Sequence, residues 1–255
     1  MSFIKRSGLV IVCILLFIVI LVGNILLTLG LSLRYENIQN ELVPVVKEVA
    51  IDNFHIEEEL NADFDSLADD YCDNYEDFVF NREGYTLVFP CEVIQNGSDA
   101  FVSYGVDAFV REIYYKNYEC GFWDCFGNSE NPKTPFFLVS AQSQSYWMGK
   151  FYWALFLFLF FAGLIYLLAE TNASSFLITG SLLVVGSLPF LAIGKIASWF
   201  VEARYLEFAV AFLSSASSVF WISFILGLVF FGVGLGFKFW NLKEWISEKF
   251  GKKKK

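Results

Sequence analysis

Apolar residues gather into four long runs along the chain: Gly8 to Leu33, Phe151 to Ala169, Phe176 to Phe200 and Phe212 to Phe237. Each is long enough to cross a bilayer, because a hydrocarbon core of about 30 Å takes roughly 20 helical residues at 1.5 Å rise. The pattern predicts four membrane helices. Lys5 and Arg6 ahead of the first run resemble the start of a cleaved signal peptide. Leu9 to Leu31, however, is apolar nearly throughout and outruns the roughly 7 to 15 residues of a signal core, so the run reads as a retained anchor.

Between the first and second runs the texture changes twice. Residues from Leu33 to about Phe78 read as helix with a break near Pro44: Val45, Val46, Val49 and Ala50 share a face, and Phe54, Leu60, Phe64 and Leu67 continue it loosely among acids. From Tyr85 to Ile94 the residues are β-branched and aromatic, which predicts a strand. Asn96-Gly97 then gives a two-residue hairpin signal, with Ala100 to Tyr104 as the return strand and Val106 to Tyr115 as an amphipathic helix. The expected fold class is an all-α four-helix transmembrane bundle with a small extracytoplasmic α+β domain inserted between helices 1 and 2. The expected boundaries are 1–33 for the N-terminus and first helix, 34–149 for the inserted domain, 150–237 for helices 2 to 4 and 238–255 for a basic tail.

Composition agrees with a lipid environment: of 255 residues 56% are hydrophobic and 30 are Phe, well above the globular average. The net charge of −9 is unevenly spread. Arg34 to Gly149 holds 22 acidic and six basic residues, a balance of −16, and the remainder is net basic. Basic residues mark the cytoplasmic side. Lys5 and Arg6 precede the first helix, and Lys238, Lys243, Lys249 and Lys252 to Lys255 follow the last, so both termini are expected in the cytoplasm, as an even number of spans requires. Residues 34–149 then face outward, Glu170 to Ser175 form a tight inner turn, and Val201 to Ala211 form a short outer loop along the interface. The expected location is the plasma membrane, or the endoplasmic reticulum in a eukaryote, where the terminal lysines resemble a dilysine retrieval signal.

Five cysteines are present: Cys13 in the first span, and Cys72, Cys91, Cys120 and Cys125 in the outer domain. An even number in an oxidising compartment points to disulfides, with Cys72–Cys91 and Cys120–Cys125 preferred among three possible pairings. The spacing does not fit a metal site, and His55 is remote. Asp63, Asp65, Asp69, Asp70 and Asp73 belong to an acidic run that attracts cations but reads first as a solvated face. Asn96-Gly97-Ser98 is also a glycosylation sequon.

Inside the membrane runs, Lys195 is the one ionisable residue, expected to pair with Glu202 at the outer interface. Asn24 and Thr28 are expected to hydrogen-bond between helices. Small residues mark close helix contact: Gly227, Gly232 and Gly236 in the fourth run, where the last two make a GxxxG pair, and Gly186 in the third, with Pro189 as a kink.

The sequence lacks a P-loop, HExxH and Gly-x-Ser-x-Gly, so no enzymatic activity, cofactor or bound metal is expected, and a −16 domain excludes nucleic acid as a partner. Gly121-Phe122-Trp123-Asp124-Cys125 is similar to the Gly-Leu-Trp motif in the first outer loop of the claudin-like tetraspan group. A cysteine ahead of the motif, and Trp123 only two positions from Cys125, depart from that pattern, and no family is assigned on five residues. The expected function is that of an assembly, scaffold or accessory subunit of a membrane complex, in a homo- or hetero-oligomer within the lipid bilayer. The alternative is a subunit of an oligomeric cation channel or transporter with an acidic outer vestibule.

Overall fold

The computed structural model describes residues 3–54, 72, 75, 77–82, 85–127, 134–200 and 212–251. They are mostly helical and fall into two compact units, residues 1–32 with 146–255 and residues 33–145. In chain order the elements are α1 (Phe3–Ser32), α2 (Tyr35–Phe54), β1 (Asp77–Arg82), β2 (Tyr85–Pro90), α3 (Cys91–Gln95), α4 (Ser98–Tyr115), α5 (Phe122–Gly127), α6 (Thr134–Leu138), α7 (Ala141–Leu168), α8 (Asn172–Phe200) and α9 (Ala216–Gly251).

Four helices are long and apolar enough to cross a membrane: Lys5–Ser32, Ala141–Leu168, Asn172–Ile193 and Ala216–Trp240. The first unit is built from them. One core cluster in it joins Leu16, Ile20, Ile165 and Leu183, while large apolar side chains stay outward, among them Trp153, Leu159, Leu167 and Val229. A helix apolar on all sides, as α7 is from Phe151 to Leu168, belongs in lipid. Helices α8 and α9 touch backbone to backbone. A Cβ built on Gly180 would fall 2.6 Å from the Phe231 nitrogen, and one on Gly227 would fall 2.9 Å from the Val184 nitrogen.

The second unit holds a two-stranded antiparallel sheet and short helices. Strands β1 and β2 pair from Asp77 with Pro90 to Arg82 with Tyr85. Phe89 stacks on Phe101 of α4 at 4.2 Å, and Phe89, Cys91 and Ile94 form one core. Tyr118, Cys125 and Phe137 form another.

Three expectations need correction. Asn96-Gly97 is no hairpin turn, and residues 100–104 are helix. A type I′ turn needs positive φ at both central residues, but Asn96 has φ −81° and only Gly97 is positive, at +98°. Gly97 instead starts α4, and the strand partner of β2 lies upstream. The strand expected over 85–94 ends at Pro90, where the chain turns into α3. Finally, α2 runs through Pro44, and the interruption falls at Leu33 and Arg34. Proline removes one bond to the Asn40 carbonyl, and both residues are exposed.

Candidate functional site

Polar groups inside the first unit form a seam along α1. Asn24, Thr28 and Ser32 recur every four residues and so share one face; their exposures are 6%, 2% and 0%. The Asn24 Nδ2 donates to the Gly186 carbonyl of α8 at 3.4 Å, and the Ser223 hydroxyl of α9 donates to Asn24 Oδ1 at 2.7 Å. Further along, the Ser215 backbone N–H donates to Ser32 Oγ at 3.0 Å. Residue numbers rise along α1 as they fall from Ser223 to Ser215, so α1 and α9 run antiparallel, and Lys5, Arg6 and Lys238 lie toward the same end of the bundle. Asn24 bonds between helices as expected. Thr28 does not: it donates to the Asn24 carbonyl of its own helix at 2.8 Å. The roles of Ser32, Ser215 and Ser223 were missed, although the eight-residue spacing of Ser215, just ahead of α9, and Ser223 matches that of Asn24 and Ser32.

Beside the seam lies a cleft of about 110 Å³ between α1, α7 and α9, with Leu183 of α8 at its back. Its walls are apolar except for Asn24 and Ser223. Gly23 and Ala154 bring α1 and α7 together, a Cβ on the glycine lying 3.7 Å from that of the alanine.

Of the four glycines expected to pack helices, Gly227 meets Val184 and Gly186 meets Ile20. Gly232 and Gly236 have open space where a Cβ would stand. They are no part of the intramolecular α8–α9 contact, which uses Gly234 instead, against Leu177.

In the second unit Cys72 with Cys91 and Cys120 with Cys125 lie at disulfide distance, each pair with Cα atoms 5.6 Å apart. Lys47 of α2 pairs with Asp99 of α4 at 2.7 Å and donates to Ser103, and Gln39 donates to Asp107. Tyr114, 3% exposed, places its hydroxyl 2.9 Å from both the Leu33 carbonyl and the Gln144 side-chain amide. A phenol has one proton, so it donates to Leu33; a half-turn of the amide lets Gln144 donate in return. Burial pushes the Tyr114 phenol up to about 12, Tyr115 adding to the effect and Arg34 opposing it. Burial, then the charge of Asp107, raises the Tyr35 phenol as well.

Asp63, Asp65, Asp69, Asp70 and Asp73 lie outside the described residues, as do Glu202, the loop 201–211, Lys252 to Lys255 and the side chain of Lys195. Among the described residues no three His, Cys, Asp or Glu side chains converge on a point where a metal would sit. No known protein family, curated protein or solved structure matches the chain.

Proposed function

We propose that the chain is a non-catalytic membrane protein that serves as an assembly, scaffold or accessory subunit, joining copies of itself or a partner subunit through the outward face of α9. One observation carries this reading. Gly227 and Gly234, seven residues apart, recur on the face of α9 that meets α8, whereas Gly232 and Gly236 fall on the other face with nothing above them. Glycines four apart on a lipid-exposed face let a second helix approach closely. The unit of residues 33–145 stands outside the cytoplasm in this reading. The antiparallel course of α1 and α9, with basic residues toward one end, supports that orientation.

The test is native mass spectrometry of the gently solubilised complex, with Gly232→Leu and Gly236→Leu beside the parent. Assembly in the parent and its loss in both variants is the expected outcome. A monomer without a partner overturns the reading. Conductance in planar bilayers points instead to the oligomeric cation channel.

A further inference from the structure

The cleft beside Asn24 lies within the depth of the membrane. Asn24 is about 12 Å from the Ser32 end of α1 and about 28 Å from its Lys5 end at 1.5 Å per residue, well inside a span of that length. Its mouth is apolar: Leu155, Ile222 and Leu226 are 41%, 51% and 43% exposed. Its only polar side chains, Asn24 and Ser223, are already bonded to each other. Water needs two to four polar partners, so an apolar cavity of this kind stays dry and takes hydrocarbon. Left empty, its walls forfeit their dispersion contacts.

Helix α7 supplies the second observation. Within the bundle its buried positions are Ala154, which lines the cleft, and Ile165, while Tyr152, Trp153, Phe156 and Leu159 are exposed. Protein contact alone therefore seats α7 thinly, and its gap toward α9 opens into the bilayer.

We infer that the cleft is the seat of one acyl chain of a bilayer phospholipid, which fills the space between α7 and α9 and completes the packing of α7. The cleft, at about 110 Å³, is too small for a whole phospholipid. The occupant is thus part of a chain whose remainder stays in the bilayer.

The full chain is reconstituted in phosphatidylcholine vesicles containing a small fraction of phosphatidylcholine with a mid-chain diazirine, irradiated, and the adducts mapped by mass spectrometry. Adducts concentrate on Leu155, Phe158 and Leu226 over Leu159 and Val229, although the latter two are the more exposed. Gly23→Leu, which fills the cleft from α1, removes the first set and leaves the second. Ala154→Leu does the same from α7 should the first variant fail to insert, and if neither inserts the parent map decides alone. Even labelling of both sets in the parent, or cleft adducts that persist in an inserted variant, overturns the inference.

Discussion

The Tyr114 hydroxyl lies 2.9 Å from the Leu33 carbonyl, so one phenol on α4 holds the residue at which the chain passes from α1 into the second unit. It reaches Gln144, near the chain's exit, over the same distance. Tyr114→Phe strips both contacts from a buried site and should cost about 1 to 3 kcal/mol, read as a lower thermal midpoint of the purified full chain.

The same phenol gives a pH dependence of known sign. Folded, Tyr114 keeps its proton up to about 12; unfolded, it releases it near its ordinary value of about 10. Its stabilisation is complete below that lower value. Between the two values the unfolded state binds fewer protons, and stability falls by up to about 1.4 kcal/mol per pH unit. A midpoint that declines over this window in the parent and declines less in Tyr114→Phe is the expected result.

Glycines of α8 and α9 should divide into two behaviours. Gly180→Ala drives a Cβ into the backbone of α9 at Phe231 and should destabilise the bundle by about 1 to 3 kcal/mol. Gly232→Ala enters open space and should leave unfolding in detergent unchanged. Equal losses in both would contradict the packing described.

Asn24→Ala removes the acceptor of the Ser223 hydroxyl. Bonds of this kind between membrane helices average about 0.6 kcal/mol and reach about 1.7, because the separated helices also find partners for these groups. A loss in that range, measured by steric trapping or denaturant titration in detergent, is expected.

Reduction separates the two cysteine pairs. Closing a separation of 19 residues, as Cys72 and Cys91 do, is worth about 3 kcal/mol, and a separation of 5, as for Cys120 and Cys125, about 2. Cys91→Ser should therefore lower the unfolding midpoint more than Cys125→Ser, and differential alkylation should find Cys13 as the free thiol in the parent.

The four spans were legible because about 20 apolar residues in a row have few alternatives in water. The hairpin was not, because local signals were overruled. Asn96-Gly97 is the stronger turn signal, yet what pairs with β2 is set by Phe78 and Phe89 packing with Phe101, contacts between residues distant in sequence. The glycines mislead similarly. Spacing marks Gly232 and Gly236 as a pair, but which face of α9 meets α8 depends on the rotation of the helix, and that is decided by Val184 and Leu177 filling the spaces over Gly227 and Gly234. Asn24 was readable because a lone amide in an apolar run must find a partner. That the partner is Ser223 required the antiparallel register.

That register also sets a timetable for synthesis. Ser223 lies 199 residues beyond Asn24, so at roughly 5 to 20 residues per second Asn24 waits about 10 to 40 s after its own translation before Ser223 is made. Its acceptor, the Gly186 carbonyl, is made 162 residues after Asn24, so the amide oxygen waits longest for its partner. The Asn24–Ser223 bond thus closes only once α9 has been made, and a stop codon before α9 leaves the Asn24 amide oxygen without that donor.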